Sequence, residues 1–384
     1  MNIRKSIYAD NAATTPLDPA ALEAMLPFLL DFYANPSSSY SISRPVKKAL
    51  QEARETIAEC IGAQPDEIFF TSGGSESDNW AIKNLVFSAS CSKRQILTSP
   101  IEHHAILNSC AEAANYSGVT IVKTPVDKWG AIDVDEYLKN ITEHTAGISI
   151  MLANNEVGTI ENIKILAGFA QEYGIPFHTD AVQAVGHIPI AVGELGVSML
   201  SASGHKFNGP KGVGFLYIKR NTPVINFING GQQELSLRAG TENVASIVGM
   251  AVALKNNCSQ MQRNISKLQY LENHFKETLS GLIPSVIFNG KLDMHLPGLV
   301  SLSIPGCSGE SLLHILDLKG FAVSTGAACN SKRTEISHVL KAMNCQKKAA
   351  VGTLRISFGK YNSIEDAQKL AQVLSMAVQK QNQK

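Results

Sequence analysis

Lys206 closes the run Ser203-Gly204-His205-Lys206, and Asp180 stands twenty-six positions upstream (206 − 180) in His178-Thr179-Asp180-Ala181-Val182-Gln183. A lysine amine can tether an aldehyde cofactor as a Schiff base. A carboxylate can keep a pyridine nitrogen protonated, so that the ring accepts electrons. Together these are the requirements of pyridoxal phosphate (PLP) chemistry. An arbitrary Asp and Lys are ordinarily two solvated charges, so the reading depends on what surrounds them.

Strands alternating with helix-sized segments surround them. Residues 67–71, 94–98, 119–123, 147–152, 176–179 and 199–203 read as short buried strands, with an amphipathic helix over 163–173 between two of them. That alternation predicts βαβ units, an α/β fold and a mainly parallel sheet covered on both faces. Val46, Ala49, Leu50, Ala53, Ile57 and Ile61 mark one apolar stripe of a long helix, and Met261, Ile265, Leu268, Leu271, Phe275 and Leu279 mark another. Beyond Cys258 the pattern becomes isolated strands (299–304, 354–358) and helices (310–318, 364–378), as in a smaller α+β domain. The expected division is a large domain over 15–258 and a small one built from 1–14 and 259–384, with residues 379–384 frayed.

Ligands of an open parallel sheet bind beyond the carboxyl ends of its strands. After the first strand comes Thr71-Ser72-Gly73-Gly74-Ser75-Glu76, a small-residue turn opening a helix, whose exposed N–H groups suit a phosphate or serve as a plain turn and cap. After the second come His103 and His104; the former could stack on a ring or shuttle protons, or simply cap a helix. Asn154-Asn155-Glu156 follows the fourth strand, Asp180 and Gln183 the fifth, and Ser203 to Lys206 the sixth. Five strand ends thus bring polar groups to one sheet edge, where they can converge on one ligand.

The composition is that of an ordinary globular protein: 384 residues, 44% hydrophobic, 17% charged, net charge +1. Nothing in this balance advertises nucleic acid or an anionic membrane. Met1 to Ser6 has no apolar leader core, and no stretch approaches the roughly 18 apolar residues of a membrane span, so a cytoplasmic location is expected. The seven cysteines are widely spaced without a Cys-x-x-Cys pair, which indicates neither a disulfide framework nor a structural metal site. Most should be buried and inert. Cys329 stands apart, because Ser324-Thr325-Gly326-Ala327-Ala328-Cys329-Asn330-Ser331 has the small, polar composition of a mobile loop in which a thiol can be approached and can travel.

Taken in order, Tyr8-Ala9-Asp10-Asn11-Ala12-Ala13-Thr14-Thr15-Pro16, Asn35-Pro36-Ser37-Ser38, the segments above, Arg238-Ala239-Gly240-Thr241-Glu242-Asn243, the Cys329 run and Leu354-Arg355-Ile356-Ser357-Phe358-Gly359 resemble the NifS/IscS-type cysteine desulfurases, a class V branch of fold-type I PLP enzymes. The resemblance covers nearly the whole chain. It implies that Lys206 holds PLP and moves a substrate proton, Asp180 pairs with the ring nitrogen, Gln183 bonds the phenolic oxygen and His103 stacks on the ring and serves as acid or base, which leaves His104 as a helix-surface residue. Gly74, Ser75, Ser203 and His205 would bind the phosphate, with Thr241 supplied by the second subunit of a homodimer. Asn155 would contact cofactor and substrate, and Arg355 would hold the substrate carboxylate by its planar fork. L-cysteine would become L-alanine, its sulfur passing to Cys329 as a persulfide and on to an acceptor protein for iron–sulfur assembly or thiolation.

Tyr40 and Ser43 depart from the family's usual histidine and glycine, and Lys332-Arg333 makes the rim of the Cys329 run basic. A related class V enzyme, such as an aminotransferase or kynurenine-type hydrolase, would share Lys206 and Asp180 without a use for Cys329. A non-catalytic PLP-binding scaffold remains the alternative from another class.

Overall fold

The computed structural model describes residues 6–325 and 336–382. Its strands are β1 (Ile7–Tyr8), β2 (Ile68–Thr71), β3 (Gln95–Thr98), β4 (Thr120–Lys123), β5 (Thr145–Ser149), β6 (Phe177–Asp180), β7 (Met199–Ser203), β8 (Gly214–Ile218), β9 (Ile287–Asn289), β10 (Leu299–Ser303), β11 (Phe321–Ala322) and β12 (Thr353–Ser357). Seven of them form the central sheet in the order β2-β8-β7-β6-β5-β3-β4. Only β8 runs against its neighbours β2 and β7; the remaining pairs are parallel. The predicted α/β class and mainly parallel sheet are observed.

Consecutive strand residues divide between the two faces of this sheet, as the pleat requires. Phe70, Leu97, Leu200 and Phe215 pack into one apolar cluster with Ile57 and Ile61 of helix Arg44–Ile61, Leu166 and Ala170 of helix Ile163–Glu172, and Ile247 and Leu254 of helix Val244–Ser259. Their neighbours Phe69, Ile96, Met199 and Leu216 pack on the other side with Trp80 and Leu85 of helix Gly74–Phe87 and Ile106 and Cys110 of helix His104–Ser117. A third cluster joins Ala9 to Leu271 and Phe275 of helix Met261–Leu282, to β10 and β12, and to Leu370 and Leu374 of the last helix. There β10 lies between β12 and β9, antiparallel to both.

The differences from the expected elements have physical causes. The predicted strand over 147–152 ends as a strand at Ser149: Ile150 and Leu152 still donate to His178 O (3.1 Å) and Asp180 O (2.8 Å), but Met151 N–H turns to the Glu102 carboxylate (3.0 Å). The five-residue run of β8 was not anticipated, since short apolar runs carry no decisive period, nor was helix Val244–Ser259, whose 16 residues are buried on too many sides to show one apolar stripe. The expected fraying from residue 379 does not occur through residue 382: the final helix spans Ile364–Asn382, and the Gln381 side chain accepts from Ser308 N–H (3.0 Å) and donates to Ser308 O (3.3 Å). Among the described cysteines, Cys110 and Cys307 are buried, Cys60, Cys258 and Cys345 half-buried and Cys91 exposed.

The sheet comes unusually close to the helix it launches. A Cβ on Gly214, the first residue of β8, would lie 2.5 Å from Ala202 O and 2.7 Å from Gly73 Cα. Both obstacles are backbone and cannot swing aside. Gly214→Ala is therefore expected to lower stability by about 1–3 kcal/mol, read as a lower urea midpoint with an unchanged slope.

Candidate active site

A cavity of about 810 Å³ opens at the carboxyl ends of β2, β3, β5, β6 and β7, and its walls include Gly74, Ser75, His103, Asn155, Asp180, Gln183, Ser203, His205, Lys206 and Arg355. Ten of the twelve anticipated site residues therefore meet there. Thr241 is exposed and outside the cavity of the single chain, and Cys329 lies outside the described residues.

Lys206 ends the tight turn Gly204–Lys206 that follows β7. Its ammonium donates to Ala12 O (2.6 Å) and Ala13 O (2.9 Å), and Gln183 Nε2 donates to the same Ala12 O (2.9 Å). The N-terminal segment 10–15 thus crosses over the strand ends. It is held there by Ala12 N–H to Ser357 Oγ (2.9 Å) and by Thr15, whose N–H (3.0 Å) and hydroxyl (2.8 Å) both reach His205 O. The two alanine carbonyls are site groups that side-chain reasoning does not reveal.

Asp180 ends β6, with one carboxylate oxygen accepting from Val182 N–H at 2.9 Å. Burial pushes its pKa up, while His103 and Lys206 pull it back, so a cation placed against it would be strongly favoured. His103 caps helix His104–Ser117: its Nδ1 accepts from Ala105 N–H (3.2 Å), which leaves the neutral ring's proton on Nε2. Burial lowers its pKa against the pull of Asp180, favouring a neutral ring. His104, expected on the helix surface, is instead half-buried on the cavity wall, its ring 4.7 Å from that of His338.

Asp78 also lines this end, and it was not singled out from sequence. It sits one turn after Gly74, 1% exposed, with Oδ1 lacking a partner and 3.9 Å from His178 Nε2. Burial and then the nearby Asp180 hold its pKa well above the ordinary carboxylate range. His178, bonded through its two nitrogens to Ser149 Oγ and Ser201 Oγ (2.9 Å each), is pushed down to about 3 by burial and stays neutral.

The phosphate-sized end is built by helix Gly74–Phe87, which begins with no side-chain cap, so its first N–H groups lack that partner. Gly73 holds φ +149, and a Cβ on Gly74 would be 2.6 Å from Val182 Cγ2; only a bare backbone leaves this cradle open. His205 is pushed down to about 4 by burial and by Lys206 and Lys211, and its Nδ1 lies 3.1 Å from Thr14 Oγ1. Glu76, just inside the helix, is depressed despite its burial because Arg238 (2.7 and 3.1 Å) and Ser72 N–H (2.9 Å) bind its carboxylate. A protein-bound Glu76 leaves the anion site to an outside ligand.

At the opposite end Arg355, 4% exposed, donates from Nη1 to Asn155 O (2.9 Å) and from Nη2 to Asp10 (2.8 Å), while its buried Nε has no hydrogen-bond partner. An anion cradle, a lysine amine, a buried acid and an arginine with an unsatisfied donor fit the phosphate, aldehyde and ring nitrogen of PLP and the carboxylate of an amino acid. Among the described residues no cluster of His, Cys, Asp and Glu could hold a metal ion, and no helix is long and apolar enough to cross a membrane.

Comparison with known proteins agrees. The model of the class-V aminotransferases matches residues 7–370, and the chain belongs to that PLP-dependent family. Within it, the chain is 47% identical over 378 residues to cysteine desulfurase IscS of Dictyoglomus turgidum, covering 98% of this chain and 96% of the relative. It is 40% identical over 365 residues to cysteine desulfurase NifS of Azotobacter vinelandii, covering 95% and 90%. A solved NifS-like protein superposes with a TM-score of 0.92 at 35% identity over 97% of this chain and 99% of that one. The chain is a member of the cysteine desulfurases.

Glu102, directly before His103, is fully buried; Ser99 Oγ (2.6 Å) and Met151 N–H bind Oε1, and Oε2 has no partner. Burial raises its pKa from the ordinary 4.5 to about 8. The folded state then binds more protons than the unfolded one between those values, so stability falls as pH rises through this window. In Glu102→Gln that fall is expected to shrink, measured by urea denaturation at a series of pH values from 4.5 to about 8.

Proposed function

We propose that this cysteine desulfurase works through Lys206 and Cys329, drawing sulfur from L-cysteine with L-alanine as the other product. The observation that carries this reading is the convergence of Lys206, Asp180, His103 and Arg355 on one cavity. PLP, when bound, supplies an electron sink for the pair of electrons left at the substrate Cα. Arg355 and Asn155 orient the substrate carboxylate, and Asp10 fixes the Arg355 fork. Lys206, released toward the carbonyls of Ala12 and Ala13, takes and returns the Cα proton. His103 Nε2 is the neighbouring proton-carrying group, and Asp180 holds the ring-nitrogen proton.

Cys329 thiolate attacks the substrate sulfur; the new S–S bond forms as Cβ–S breaks, and the electron pair left on Cβ is protonated to the methyl group of alanine. Reading Cys329 as the acceptor rests on its small, polar run. A solved relative at 34% identity, SspA, is described in complex with cysteine, which supports the substrate. The exposed Leu26, Leu29 and Leu30 of helix Pro19–Leu30, together with Thr241 outside the cavity, support a homodimer in which Thr241 reaches the partner's phosphate site. The two-unit division at residues 14–15 and 258–259, a cytoplasmic location and delivery to a protein acceptor in iron–sulfur assembly or thiolation complete the reading.

Cys329→Ala is expected to keep PLP and cysteine binding but to lower alanine release by roughly a hundredfold or more, with no trapped persulfide. Alanine release at the unaltered rate would overturn the assignment. Arg355→Lys, which loses the planar fork, is expected to raise KM for L-cysteine about tenfold, measured by initial rates under saturating PLP.

A further inference from the structure

Ser324 and Ser337 lie on either side of the run that contains Cys329, and both are fastened to the substrate-carboxylate end of the cavity. Before the run, Ser324 bridges Arg355, with N–H to O distances of 3.1 and 2.7 Å in the two directions. After it, Ser337 Oγ donates to Glu156 Oε2 and accepts from Val339 N–H (3.0 Å), capping helix His338–Ala342. The next residue repeats the attachment: His338 Nε2 lies 2.9 Å from Glu102 O, and its ring packs on His104.

Glu156 is well placed to be an anchor. It is 7% exposed, and the Asn154 side-chain carbonyl accepts from its N–H (2.9 Å) and from Val157 N–H (3.0 Å). Asn154 is itself tied to Ile101 O (3.0 Å). The Glu156 side chain lines the cavity beside Asn155, whose carbonyl receives Arg355. One rigid turn therefore carries both a substrate-binding contact and the fastening of Ser337. Burial raises the Glu156 pKa to about 7, with Ser337 and Arg355 opposing the rise; a hydrogen bond from a neutral hydroxyl does not require the ionised form.

We propose that Glu156, acting through Ser337, is a positioning residue for sulfur transfer: it sets where the chain leaving residue 336 meets the turn that holds the substrate. This deepens the reading of Cys329 as the sulfur acceptor and rests on it. The Glu156–Ser337 bond matters to the rate at which sulfur leaves the bound cysteine, and not to cysteine capture.

The test uses the PLP-loaded protein and separates capture from transfer. Capture is read from the visible-spectrum change on adding L-cysteine, and transfer from the persulfide formed in a single turnover. Ser337→Ala and Glu156→Ala are expected to keep the PLP content and to hold the spectral Kd within about twofold, while slowing persulfide formation on the order of tenfold or more, the scale of a small misplacement of reacting groups. Glu156→Gln, whose amide oxygen still accepts from Ser337, is expected to recover most of the rate. Unaltered persulfide formation in Ser337→Ala, or a Glu156→Gln variant as slow as Glu156→Ala, overturns the proposal. So does parallel loss of PLP, cysteine binding and transfer in Ser337→Ala, which indicates a merely structural contact. Persulfide that persists in Cys329→Ala sinks the underlying reading instead, whatever Ser337→Ala does.

Discussion

The contact of the Lys206 ammonium with the carbonyls of Ala12 and Ala13 spans 194 and 193 residues of sequence. Strand ends alone make an open shelf, and the N-terminal segment makes it a chamber. That segment is a crosspiece: Asp10 meets Arg355 on β12, Ala12 meets Ser357, and Thr15 meets the residue just before Lys206. The central sheet and the β10–β12 sheet thus share one short stretch of backbone at the reactive amine. The floor beneath it is equally constrained, because Gly74 and Gly214 permit approaches that a single Cβ would block and Gly73 holds φ +149.

Burial shifts several ionisable groups in and just behind the chamber toward their uncharged forms. His178 and His205 are neutral, burial raises Glu102 to about 8, and it raises Asp78 and Asp180 as well, the latter against the pull of His103 and Lys206. In a low-dielectric site the few remaining charges act over longer range. A ring cation against Asp180 and a carboxylate against Arg355 would meet partners whose own water has already been removed.

Much of this was legible in the residue order. Strand ends rich in Gly, Ser, His, Asn and Asp, separated by helix-length apolar periods, placed nine site residues on one edge, the family resemblance added Arg355, and the structure brings those ten together. The alternation that encodes the sheet is also plain once observed: Phe69 and Phe70 face opposite clusters, as do Ile96 and Leu97. Groups that act through backbone or long-range packing were not legible. Ala12 and Ala13 have no side-chain signature, Asp78 reads as an ordinary helix acid, and His104 was assigned to the surface because nothing local announces His338 beside it. Thr241 carries no single-chain signal either, since it stands away from the cavity of its own chain.

The crosspiece also has a kinetic meaning. Asp10 and Arg355 are separated by 345 residues, so the chamber wall they share closes only after nearly the whole chain is available. Contacts of such separation pay their loop-closure entropy late in folding. A ribosome-bound chain could form the parallel sheet and its two covering layers while its N-terminal segment still lacks a docking strand. A chain truncated before β12 would carry Lys206 without the wall that Asp10 and Arg355 share.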